Sequence, residues 1–174
     1  MEKQPAPDDR IKLGTKNLQA FFVDHLNLIY AAKRHLVSNL PEIADVVRYN
    51  DLRDGILETI LDVQKQMVRL ETIFGLLHTD MSSERCTAMM GMVEEAFQSM
   101  RKYKGRDHSL RDLSVANYMQ QIGSVEMASF QILEMASVKI KNSQIRDLLK
   151  ESYAEARADR TLMLLIATKY IVAS

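Results

Sequence analysis

The chain has 174 residues, 47% of them hydrophobic, which is enough apolar material for one buried core. Its 23 basic and 23 acidic side chains cancel and are scattered, so no global field recruits nucleic acid or an anionic membrane. The lone Cys86 excludes an intrachain disulfide, the N-terminus has no apolar leader, and no stretch approaches the ~18 apolar residues of a membrane span; a cytoplasmic protein is expected.

Residues 1–14, with Pro5, Pro7, Asp8, Asp9 and Gly14, are polar and punctuated, and are expected to form a loosely attached tail before a single domain over 15–174. Thr15 or Asn17 is expected to cap a first helix running to about Val47, with a bend or break at Pro41. Asn50-Asp51 should cap a second helix that carries Leu52, Ile56, Ile60, Val63, Met67, Leu70, Phe74 and Leu77 on one face and stops near His78. A shorter helix is expected from Ser82 or Ser83 to Met100, with Met89, Val93, Ala96 and Met100 at helical spacing. Lys104-Gly105-Arg106-Asp107 forms a turn before a helix from about Ser109 to Lys139, with Ala116, Met119, Gly123, Glu126, Phe130 and Leu133 inward. After a break at Asn142-Ser143, the last helix shows Ile145, Leu148, Ser152, Glu155, Asp159, Leu162 and Ile166.

No strand pattern competes, so the fold class is all-α. Four long helices form a bundle, with the short helix in a second-to-third connection long enough to cross it lengthwise. The first helix contains the anomaly: Leu26, Ile29, Lys33, Leu36 and Leu40 share one stripe, so a lysine points where the core should be. The other long helices carry Asp62, Glu126 and Glu155 near their midpoints. Helices of about 30 residues are about 45 Å long, so the four charges fall at similar height. Bundle-core carboxylates at one level are the arrangement of di-iron and di-manganese sites, but no helix here carries Glu-x-x-His and one position is a cation.

The chain resembles the YciE/YciF-like, stress-associated ferritin-like family from about Leu18 to Ile171. The resemblance rests on Tyr30-Ala31-Ala32-Lys33, on Arg69-Leu70-Glu71 with Phe74, and on Cys86-Thr87-Ala88-Met89-Met90-Gly91-Met92-Val93-Glu94-Glu95. It also rests on Glu126-Met127-Ala128-Ser129-Phe130 and Leu148-Leu149-Lys150-Glu151-Ser152. It implies a ferritin-like four-helix bundle with a di-metal centre, often as a homodimer. Against that pattern the helix-one glutamate is Lys33, the histidine one turn before Asp62 is Thr59, and a Glu-His pair before Glu126 is Gly123-Ser124. Asp62, Glu126 and Glu155 remain as carboxylates and no imidazole remains.

A buried lysine needs acidic partners, and Glu126 and Glu155, with Asp62 third, are the natural ones. The expected function is therefore a non-enzymatic, stress-associated bundle whose di-metal site is replaced by an internal Lys33/Asp62/Glu126/Glu155 cluster without a cofactor. The alternative is an atypical metal protein, a store or oxidase, holding Fe, Mn or one weakly bound divalent cation at Asp62, Glu126 and Glu155. Three acids against one lysine keep that alternative open. The histidines do not rescue a metal centre: His25 reads as a core or partly exposed residue, His35 points elsewhere, and His78 and His108 fall at helix ends. Cys86 and the serines have no patterned base for nucleophilic catalysis. The methionines of the short helix are expected to cover the bundle, or to meet a second subunit.

Overall fold

A computed structural model describes residues 13–82, 87–103 and 107–173. The first twelve residues of the expected tail, Cys86, the Met89 side chain, the Ser83 helix start and the Lys104–Arg106 turn lie outside the described residues. The described chain forms α1 (Thr15–Val46), α2 (Asn50–Leu76), α3 (Thr87–Lys102), α4 (His108–Ser137) and α5 (Ser143–Val172). Among the described residues there is no strand, and no helix is long and apolar enough to cross a membrane.

Inter-helix partners fix the directions. Phe22 and Leu26 of α1 cluster with Phe130 and Leu133 of α4, whereas Leu40 and Ile43 cluster with Val115 and Ala116, so α1 and α4 are antiparallel. Arg69 meets Glu151 and Glu155 while Asp51 meets Lys169, so α2 and α5 are antiparallel too. The short links 47–49 and 138–142 pair α1 with α2 and α4 with α5. The remaining connection must then travel the length of the bundle, the single long crossover of a ferritin-like fold. α3 rides on that connection and packs Val93, Ala96, Phe97 and Met100 into the core shared with α1 and α4.

Local chemistry departs from expectation in several places. α1 continues through Pro41. The ring removes one backbone bond, but Leu40, Ile43, Ala44 and Val47 are buried on both sides of it, and that packing holds the helix together. Its N-cap is Gly14, not Thr15 or Asn17, and makes no side-chain capping bond. α2 is capped from a distance: the backbone N–H groups of Arg48 and Tyr49 donate to Asp112 of α4, at 2.6 and 2.9 Å, in place of a cap at Asn50 or Asp51. Arg111 closes the other oxygen of that buried carboxylate at 2.9 Å. Arg53 reaches back to the last carbonyls of α1, Ala44 at 3.2 Å and Val47 at 2.7 Å. α4 starts one residue earlier than expected because Asp107 caps Ser109 and Leu110, and Asn142 caps α5 at Ile145.

Close helix approach occurs at Gly123. A Cβ there would stand 2.8 Å from the Arg160 Cβ and 3.2 Å from its Cα, so α4 and α5 are in backbone-level contact. On the other flank of α5, a Cβ on Gly55 of α2 would meet Ile166 Cδ1 at 2.9 Å.

Candidate functional site in the bundle midplane

Helical spacing carries Lys33 inward with Leu26, Ile29, Leu36 and Leu40, and it is 0% exposed. Its ammonium donates to Oε1 of Glu126, which is 1% exposed, and lies 5.1 Å from the centroid of the Phe130 ring. Glu126 and Phe130 are one turn apart on α4, so a carboxylate and an aromatic face receive the same cation.

Asp159 of α5 completes the ionic middle. It is 5% exposed, and burial pushes its carboxyl up to about 7 from an ordinary 3.8. The Asp62 and Glu126 carboxylates add to the rise, and Lys33 opposes it. Its Oδ2 has no hydrogen-bond partner. One turn beyond Asp62 on α2, Gln66 is fully buried with both amide atoms unpartnered.

Of the four charges singled out from the sequence, Lys33 and Glu126 are joined directly. Asp62 stands at the edge, accepting from Lys65 at 2.8 Å. Glu155 faces α2 rather than the axis, and Arg69 grips both its oxygens at 2.6 and 2.7 Å, with Glu151 beside it at 3.1 Å. Asp159 takes the inward place on α5. The apolar face of that helix is Ile145, Leu149, Ala156 and Met163, rotated from the expected Leu148–Glu155–Leu162 line. The seven-residue spacing Ile145, Ser152, Asp159, Ile166, all four buried, is the signal that marks Asp159. Gln66 had no such signal, being an ordinary polar residue in an otherwise apolar stripe.

The positions at which the family resemblance implies metal ligands are otherwise employed. Thr59 is buried and donates its hydroxyl to the Gly55 carbonyl at 3.0 Å. Gly123 lies against Arg160, and Ser124 accepts from the Arg160 guanidinium at 2.8 Å. Lys33 puts a fixed positive charge where a divalent cation would need donors, while Lys65 and Arg69 hold two of the remaining carboxylates. Among the described residues no group of three or more His, Cys, Asp and Glu side chains is placed to hold a metal ion. This donor set does not fit a di-metal centre.

The histidines lie apart. His25 donates Nδ1–H to the Phe21 carbonyl of its own helix at 3.2 Å and packs on the Phe21 ring. His35 lines a cleft of about 520 Å³ between α1 and α3 with Asn39, Glu42, Glu94, Phe97 and Arg101, and partial burial lowers its pKa. His78 is exposed, with a left-handed backbone just past α2, and His108 begins α4 with a buried, unpartnered Nδ1.

Five helices in this order, with one lengthwise crossover, define a ferritin-like helical bundle. The chain belongs to the family described as domain of unknown function DUF892, whose model matches residues 17–173. Its fold is similar to that of the E. coli stress protein YciF, with a TM-score of 0.86 at 20% identity, covering 91% of this chain and 99% of that one. It is also similar to YcfI of Rhodopseudomonas palustris, provisionally described as a structural protein, with a TM-score of 0.78 at 22% identity, covering 90% and 96%. At such identities the likeness establishes the fold alone. A comparison with curated proteins finds no match.

Proposed function

We propose that this chain is a non-enzymatic, stress-associated member of its family, a structural or binding bundle in which an internal ion pair stands where a ferritin-like protein would hold two metals. One observation carries the reading: Lys33 and Glu126 are both buried and joined at mid-height of the bundle. An ammonium supplies one positive charge without open coordination positions, so the site offers no Lewis acid and no redox couple of its own. The descriptions of YciF as a stress protein and of YcfI as a structural one agree with this role.

Elemental analysis of the purified chain, paired with anaerobic Fe²⁺ titration followed by air, tests the reading. Substoichiometric Fe, Mn and Zn and no ferric absorption band are expected. Stoichiometric metal, or a band that Glu126→Gln abolishes, would establish the competing metal-protein reading at Asp62, Glu126 and Glu155. Lys33→Glu removes the resident cation, and a gain of metal by that variant would support the replacement.

A further inference from the structure

Contacts between the helices fix the heights of their buried polar residues. Arg69 of α2 grips Glu155 of α5, and these helices are antiparallel. Gln66, before Arg69, and Asp159, after Glu155, are therefore displaced the same way along the axis, by about 4.5 and 6 Å. The Tyr30 hydroxyl donates to Glu71, and from that bond Lys33 and Gln66 are displaced together by about 4.5 and 7.5 Å. From the bond between Arg160 and Ser124, Asp159 and Glu126 are displaced together by about 1.5 and 3 Å. Each long helix thus gives one residue to a layer about one helical turn thick. Lys33 and Gln66 are 0% exposed, Glu126 1% and Asp159 5%.

We infer that internal water completes this layer, held between the Gln66 amide of α2 and the Asp159 carboxyl of α5. The inference rests on the reading above that no metal occupies this level. Gln66 and Asp159 are buried at one height on neighbouring helices, yet Gln66 Nε2, Gln66 Oε1 and Asp159 Oδ2 have no protein partner. The chemistry of these atoms selects the occupant. Whichever way the amide is turned, one of its atoms must donate and the other must accept. A bare cation accepts nothing from the N–H, and a halide donates nothing to the carbonyl. Water does both, and it serves the Asp159 oxygen in either protonation state, donating to the carboxylate or accepting from the acid. The Lys33 ammonium has three N–H groups and gives one to Glu126, so it offers such a water a further donor. The ion pair and the two unpartnered side chains then become one hydrogen-bonded network across all four long helices.

A crystal structure of the full chain, recorded with anomalous data, tests this. A peak without anomalous signal is expected at hydrogen-bonding distance, about 2.7–3.2 Å, from both a Gln66 amide atom and Asp159 Oδ2. In solution, oxygen-17 relaxation dispersion should detect long-lived internal water in the unaltered chain. Gln66→Leu should lose that signal, and Gln64→Leu, at an exposed position of the same helix, should keep it. Gln66→Met replaces the leucine variant if circular dichroism shows that the latter has unfolded. A dry layer with the Lys33–Glu126 pair intact, or a folded Gln66 variant that keeps the full signal, would overturn this inference and leave the proposed function standing. An anomalous peak in the layer, from bound metal, would overturn both.

Discussion

Two of the carboxylates withdrawn from water in this molecule, Asp112 and Asp159, have different surroundings. At the α1–α2 turn, Asp112 is enclosed by two backbone N–H groups and the Arg111 guanidinium, so both of its oxygens are bonded. At mid-height, Asp159 keeps one bare oxygen and feels the Asp62, Glu126 and Glu58 carboxylates, and the buried Gln66 amide of α2 is bare as well. The first arrangement is a fastening: it ties the start of α2 to α4 across more than sixty residues of sequence. The second is a polar interior with more acceptors than donors, and Lys33 is the cation that keeps it tolerable.

Breaking the middle should have the largest effect. Lys33→Met leaves Glu126 buried without its cation and is expected to lower stability by about 3–5 kcal/mol in urea unfolding. Adding Glu126→Leu should restore most of that loss. Asp112→Ala strands two backbone donors and Arg111, for an expected loss of about 3 kcal/mol by the same assay.

Asp159 sharpens the contrast through pH. The folded chain keeps its proton up to about 7, while the unfolded chain releases it near 3.8. The stabilisation is complete below the lower value and is lost as pH rises through the window between them. Asp159→Asn should flatten that slope and raise stability at pH 8 by roughly 2–3 kcal/mol, read from thermal melts across pH. The smallest effect is a gain. Gln66→Leu removes two bare polar atoms at similar volume and should stabilise by about 1 kcal/mol.

The bundle itself was legible because four stripes at three-and-four spacing need no long-range information. Lys33 and Glu126 were legible for the same reason, since charge within such a stripe is conspicuous. The choice between Glu155 and Asp159 was not. Their helix can turn by a fraction of a residue, and its rotation is set by how α5 seats on α4 at Gly123 and on α2 at Gly55. The Asp112 fastening was hidden for a different reason: its partners lie far away in sequence, and nothing local at Asn50-Asp51 shows that the cap comes from elsewhere.

The two glycine contacts also bear on how the interior answers an added charge. With α5 in backbone-level contact with α4 at Gly123 and packed by Ile166 and Met163 onto Gly55 of α2, outward movement of residue 159 would have to break both contacts. Crowding at that level is therefore relieved by uptake of a hydrogen ion and not by travel of the rod that bears it.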